Sequence, residues 1–256
     1  MSSLGRFLEF SVRTPDILES LTFYKALGFR ELEIGDVWPH KYAVVSDSVL
    51  SIGLHDCEFD APAISFVHPD LAKSARQMSD HGFDFTTMQL DEDVFNHLGL
   101  RDRDGNAISM LEARTFSASD ESEDDSACGN WFELTLPVKD AVHAAVFWAS
   151  VATSVLEMRE EPTTHMRFDV GDLPVGLSES IALESPALCF KCPDRKVLAA
   201  VIERHGIPHE EFPGFEGAFV ALEAPEGTKL YAFDEDFLGE PIEVDESDDL
   251  SEFPGE

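Results

Sequence analysis

Two carboxylates are placed where they could do chemistry. Glu9 and Glu133 lie 124 residues apart, each inside a short run in which apolar and other residues alternate. In the first run Leu8, Phe10 and Val12 form one face, and Phe7, Glu9, Ser11 and Arg13 the other. In the second, Phe132, Leu134 and Leu136 oppose Trp131, Glu133 and Thr135. Successive side chains of a strand point to opposite faces, so each run predicts a strand that buries its apolar face and turns a glutamate the other way. A carboxylate in that position can hold a cation or a ligand hydroxyl, or act as a general base if burial raises its pKa. It can equally be a structural group satisfied by nearby backbone or by Arg13.

The other reactive side chains point less clearly to a site. Cys189 and Cys192 have the Cys-x-x-Cys spacing of a metal site. Both fall in a predicted strand, where residues three apart face opposite ways, and no second cysteine pair completes a ligand set. With Cys57 and Cys128 they are read as buried or half-buried thiols. Among the nine histidines, His81 and His205 precede glycines and suit helix C-termini, where a partly positive imidazole is favoured. His40, His97 and His165 fall on or near strands that could border a cavity, and they are the remaining route to a metal site. No glycine-rich phosphate loop or nucleophile motif is present. The expectation is no metal and no cofactor.

The elements that must position these groups repeat. Pro62-Ala63-Ile64-Ser65-Phe66-Val67-His68-Pro69-Asp70 recurs as Pro186-Ala187-Leu188-Cys189-Phe190-Lys191-Cys192-Pro193-Asp194, again 124 residues on. Each copy reads as a strand closed by proline, then an aspartate N-cap and a helix ending at Gly82 or Gly206. Asp16 to Gly28 spans the same interval one shorter repeat earlier, and Asp140 caps the corresponding helix in the second half. Three short strands should follow each helix. In the first half they are placed near 30–34, 41–46 and 49–54, then 84–89, 96–101 and 107–113, with Asp104-Gly105-Asn106 as a hairpin turn. The predicted fold is α+β: four β-α-β-β-β modules beginning near Phe7, Ala61, Trp131 and Pro186, in two tandem pairs. Residues 1–115 form the first domain, 116–129 an acidic linker, 130–236 the second domain and 237–256 an acidic tail.

Composition narrows the function. The chain has 256 residues and a formal net charge of −33, which repels phosphate backbones and anionic lipids. Nucleic-acid and membrane partners are therefore disfavoured, and the acidic segments read as solvated charge. No apolar run has the length of a membrane span or the form of a signal peptide, so a cytoplasmic location is expected.

The strands and turns that carry Val12-Arg13-Thr14-Pro15-Asp16, Ser20-Leu21-Thr22-Phe23-Tyr24, Leu27-Gly28-Phe29 and Leu100-Arg101-Asp102-Arg103-Asp104-Gly105-Asn106 resemble those of the vicinal oxygen chelate superfamily. That superfamily includes glyoxalase I, extradiol dioxygenases and bleomycin- and fosfomycin-resistance proteins. The resemblance covers 5–115 well and 130–235 more weakly. It implies cavities enclosed by paired modules, and a divalent metal held by His, Gln or Glu at fixed positions. Here those positions carry Glu9, Ala63 and Ser109 in one half, and Glu133, Ala187 and Tyr231 in the other. Alanine offers no donor, and serine and tyrosine are poor ligands for such metals. The expected function is metal-free binding of a small organic molecule. Glu9 and Glu133 are the candidate catalytic or anchoring groups. Phe7, Ser11, Arg13, Ser65, Ser109, Trp131, Thr135, Lys191 and Tyr231 are the candidate ligand-binding residues, with Val67 and Cys189 beside them. The alternative is a lyase, isomerase or oxygenase that uses a non-standard metal site or a glutamate base. Two copies in one chain can supply both halves of each cavity, so a monomer is expected.

Overall fold

The fold was obtained as a computed structural model that describes residues 2–33, 39–91, 96–113, 126–159, 164–180, 183–210 and 218–234. Most of the expected acidic linker and all of the expected acidic tail lie outside the described residues. The first half runs β1 (Arg6–Arg13), α1 (Ile17–Ala26), β2 (Arg30–Glu31), β3 (Tyr42–Ser46), β4 (Ser51–His55), β5 (Ala63–His68), α2 (Leu71–Asp80), β6 (Phe85–Gln89), β7 (His97–Arg101) and β8 (Ala107–Glu112). The second half repeats it: β9 (Asn130–Pro137), α3 (Ala141–Val151), β10 (Ser154–Arg159), β11 (His165–Val170), β12 (Leu173–Ser178), β13 (Ala187–Cys192), α4 (Arg195–His205), β14 (His209–Glu210), β15 (Phe219–Glu223) and β16 (Lys229–Asp234). These are the four β-α-β-β-β modules. No helix among the described residues is long and apolar enough to cross a membrane.

Each half forms one eight-stranded sheet, ordered β2-β3-β4-β1-β5-β8-β7-β6 and β10-β11-β12-β9-β13-β16-β15-β14. The order settles how the modules pair. The first strands of modules one and two, β1 and β5, lie side by side and antiparallel, as do β9 and β13. Each half is thus a two-fold arrangement of its own two modules.

The helix signals act as the sequence implies. Asp16 accepts from the amides of Leu18 and Glu19, Asp70 from Lys73, Asp140 from His143, and Asp194 from Lys196 and Val197. Such caps each contribute about 1 kcal/mol. Helix α3 alone ends without glycine, with Ala152 in an extended conformation that returns the chain directly to β10.

A single apolar core joins the halves, because it holds Phe10, Tyr24 and Phe29 together with Trp148, Phe168 and Phe190. Phe29 meets Phe190 edge-on at 6.2 Å, and Phe83 meets Phe147 at 5.6 Å. Polar contacts fix the join. Ser20 and Tyr24 on α1 donate to Glu226 in the β15–β16 turn at 2.7 and 2.6 Å. The Trp148 indole on α3 donates to Asp102, in the β7–β8 turn, at 3.2 Å. The Phe7 amide donates to the Gly171 carbonyl at 2.7 Å.

A β-bulge in each half departs from strict alternation. The pairing of β1 with β5 slips between Phe7 and Glu9, and that of β13 with β9 slips between Cys189 and Phe190. A bulge inserts one residue and reverses the facing of what precedes it. Phe7 therefore stands opposite Phe66, with ring centroids 6.2 Å apart, and Trp131 packs on Phe190 at 5.4 Å. Phe66 and Phe190 are core residues, so Phe7 and Trp131 join the apolar side. Leu8 and Phe132, expected in the core by alternation, are half-buried and outside it.

Candidate functional site

On the sheet face opposite the helices each half carries a cluster of side chains around a buried glutamate, the first and the second cup. In the first, Glu9 is 3% exposed, and polar side chains surround its carboxylate. Ser11, two residues along the same strand, donates to Oε1 at 2.7 Å. The Tyr42 hydroxyl from β3 donates to Oε2. His55 Nε2, at the end of β4, lies 2.9 Å from Oε1. A carboxylate only accepts, so His55 presents an N–H at Nε2, and in its neutral form the Nδ1 lone pair faces away from Glu9. That Nδ1 is 2.9 Å from Nε2 of His40. Burial, and then the neighbouring His55, hold the His40 imidazole below its ordinary pKa.

Gly53 makes this arrangement possible. A Cβ at Gly53 would stand 2.1 Å from Glu9 Oε1, so the glycine is what leaves room for the carboxylate. The second half repeats the device, with a Cβ at Gly176 placed 2.1 Å from Glu133 Oε1.

Strand register sets the rest of the first cup. Glu9 pairs with Ser65 on β5, Ser65 with Ser109 on β8, and Ser109 with Gly99 on β7, a single row across the sheet. Ser65 and Ser11 hydroxyls are 2.7 Å apart. His97 Nε2 lies 3.1 Å from the Ser109 hydroxyl, and burial lowers the His97 pKa.

The second cup keeps the plan with different chemistry. Glu133 is 2% exposed, and Thr135 donates to Oε1 at 2.7 Å. His165 replaces Tyr42, since each pairs with the last residue of its neighbouring strand, Ser178 of β12 and His55 of β4 respectively. His165 Nε2 is 3.2 Å from Oε1, and Arg167 Nε is 3.4 Å from Oε2. Burial alone pushes the Glu133 carboxyl up, but His165, Thr135 and Arg167 outweigh it and hold the group below the usual carboxylate range. The space above is occupied. Arg167 and Lys191 lie over the Phe132 ring at 4.1 and 4.7 Å, and Tyr231 packs beside Phe219 and Phe233. Cys189 touches the Thr135 hydroxyl at 3.1 Å, and burial raises its thiol pKa strongly.

The structure thus gathers Glu9, Ser11, Ser65 and Ser109 in one cup, and Glu133, Thr135, Lys191 and Tyr231 in the other. It does not bring Phe7 or Trp131 to either, because of the bulges. Arg13 is exposed at the end of β1 and pairs with Glu58 at 2.5 Å, not with Glu9. Val67 is buried at 8% exposure. Sequence reasoning missed Tyr42, His55 and Arg167 as partners of the glutamates. A two-residue turn at Asp47-Ser48 would set Tyr42 opposite Gly53; the turn spans four residues, Asp47 to Leu50, and sets Tyr42 opposite His55, whereas parity from Gly53 alone puts His55 on the cup face. Arg167 has no such signal, because the matching position in the first half is Val44.

The metal implied by the resemblance does not fit the positions it should occupy. Ala63 and Ala187 supply no donor there. The oxygens of Glu9 and Glu133 are already engaged by the hydroxyl, imidazole and guanidinium donors above. A separate trio lies at the edge of the first cup: one ligand atom from each of His40, His55 and Cys57, all within 4.8 Å of one another.

No family model matches the chain, and no curated protein matches it. Solved structures do. Homoprotocatechuate 2,3-dioxygenase from Brevibacterium fuscum, as a single-residue variant, superposes with a TM-score of 0.62 at 14% identity, covering 96% of this chain and 74% of that one. A variant of the same enzyme in complex with HPCA gives 0.61 at 14% identity, covering 96% and 74%. A catechol 2,3-dioxygenase gives 0.57 at 13% identity, covering 89% and 85%. These are extradiol dioxygenases, and identity this low carries the fold and not the chemistry. Four modules, two paired sheets and these superpositions together give the chain the vicinal oxygen chelate fold in its tandem form.

Proposed function

We propose that the protein binds a small organic molecule in the first cup, without a metal at the fold's usual ligand positions. The observation that carries this reading is the state of Glu9. Among the described residues no lysine or arginine pairs with it, whereas Glu133 has Arg167. A deeply buried carboxylate held by hydroxyls and one imidazole suits a ligand that brings its own donors, such as a phenol or an alcohol. Ser65, Ser109 and the half-buried His97 offer further polar anchors along the same row. The second cup is filled by its own cations and rings, and is read as structural.

The solved structures of this fold suggest the first probes, homoprotocatechuate and catechol. Calorimetric titration of each into the wild type should show one site, and Glu9→Gln should weaken it by about 1–3 kcal/mol, while Glu133→Gln leaves it within about twofold. Equal loss in both variants would refute the assignment to the first cup. A second reading, acid–base catalysis, is favoured by the unbroken chain His40–His55–Glu9–Tyr42, which could carry a proton from the rim to a bound hydroxyl. Its mark would be turnover that falls more than binding in Tyr42→Phe.

A further inference from the structure

We infer that His40, His55 and Cys57 form a site for a transition-metal ion of the Zn²⁺ type, displaced to the rim of the first cup and separate from the positions that hold metal elsewhere in this fold. The inference is independent of whether an organic molecule binds.

Three features support it. The first is donor chemistry. Two imidazoles and a thiolate are ligands of a borderline-soft ion, and a tetrahedral site with three protein ligands leaves a fourth position for water. The second is distance. One ligand atom from each of the three residues already lies within 4.8 Å of the others, and His40 Nε2 and His55 Nδ1 are 2.9 Å apart. Bonds of about 2.0–2.1 Å to each nitrogen require roughly 3.3 Å between them in a tetrahedron, a small opening for the half-buried His40.

The third is the orientation of His55. Glu9 accepts from Nε2 and so fixes the tautomer in which Nδ1 presents its lone pair to the trio. A carboxylate behind a metal-binding histidine sets its ring and raises its basicity. Glu9 is a positioning residue here, and Tyr42 and Ser11 position Glu9 in turn. In the metal-free protein the His40 Nε2 proton fills the gap by donating to His55 Nδ1. On binding, His40 takes the other tautomer, and the Cys57 thiol releases its proton to solvent. The two positive charges of the ion are then met by the thiolate and by the Glu9 carboxylate behind His55.

The test uses full-length protein freed of metal by a chelator, with excess Mg²⁺ present to occupy the acidic surface. Zn²⁺ is titrated against a chromophoric chelator, and Co²⁺ serves as the spectroscopic probe. We expect one equivalent of Zn²⁺, and a Co²⁺ spectrum with a thiolate charge-transfer band and intense tetrahedral bands. Glu9→Gln should weaken Zn²⁺ roughly 10–100-fold. Cys57→Ser and His40→Ala should weaken it more, and Cys57→Ser should abolish the charge-transfer band. Cys57 is the one half-buried thiol, the other three cysteines being buried. Zn²⁺ should therefore protect native protein from alkylation by iodoacetamide, a readout that needs no variant to fold. Zn²⁺ binding unchanged in Cys57→Ser, or alkylation of Cys57 at the same rate with and without Zn²⁺, would overturn the inference.

Discussion

Gly53 and Glu9 form a matched pair in which a missing side chain makes room for a buried one. Gly53→Ala should push the carboxylate off Ser11 and His55 and cost about 2 kcal/mol or more. In a Glu9→Ala background the same substitution should cost less than about half as much, since the group it displaces is gone. Denaturant titration of the four proteins in the cycle measures this coupling, and strict additivity would contradict it. His97 yields a pH prediction. Burial lowers its folded pKa below the ordinary value of about 6.5. Between the two values the unfolded chain holds a proton that the folded chain has shed. Stability should therefore rise with pH across that window and fall on acidification through it. His97→Gln should flatten the dependence, and an NMR titration midpoint for His97 at or above about 6.5 would contradict it. Glu9 and Glu133 were legible as buried carboxylates because strand parity and the repeat agree on them. Their partners were not, since Tyr42, His55, His165 and Arg167 arrive from other strands through registers that depend on loop lengths.

At the level of elements, alternation, N-caps and turn residues were enough to place four modules, and the caps act as the sequence implies. The bulges were not legible. Nothing in Phe7-Leu8-Glu9 or Trp131-Phe132-Glu133 announces an extra residue, and both sides of each slip are apolar. The slip moves Phe7 and Trp131 to the core and frees Phe132 to sit under Arg167 and Lys191. Module pairing was equally hidden, because local sequence carries no term for which strands meet. The join between α1 and the β15–β16 turn has its own test. Tyr24 is fully buried, and burial together with Glu226 holds its phenol well above the usual range, so it remains a donor. Glu226→Ala removes the acceptor of the buried Tyr24 hydroxyl, while Ser20 keeps Thr14 as partner, and should cost about 1–3 kcal/mol, whereas Tyr24→Phe removes donor and need together and should cost less. Chemical denaturation compares the two, and the reverse order would refute the role given to Glu226.

Across the whole molecule, two halves with one backbone plan have divergent cups. The second holds its glutamate with Arg167 and His165, with Phe132 under Arg167 and Lys191. The first holds its glutamate with hydroxyls and one imidazole, with the His40, His55 and Cys57 trio beside it. A net charge of −33 surrounds both, and the shared core makes the halves one structural unit. On the function proposed above, duplication lets one cup serve the fold while the other takes a ligand. That division is tested most directly by following the histidine ring resonances while homoprotocatechuate is added to millimolar concentration. The account predicts that His97 and His55 shift together and saturate, while His165 stays in place. A shift confined to His165, or no histidine shift in the first cup with this ligand or with catechol, would contradict it.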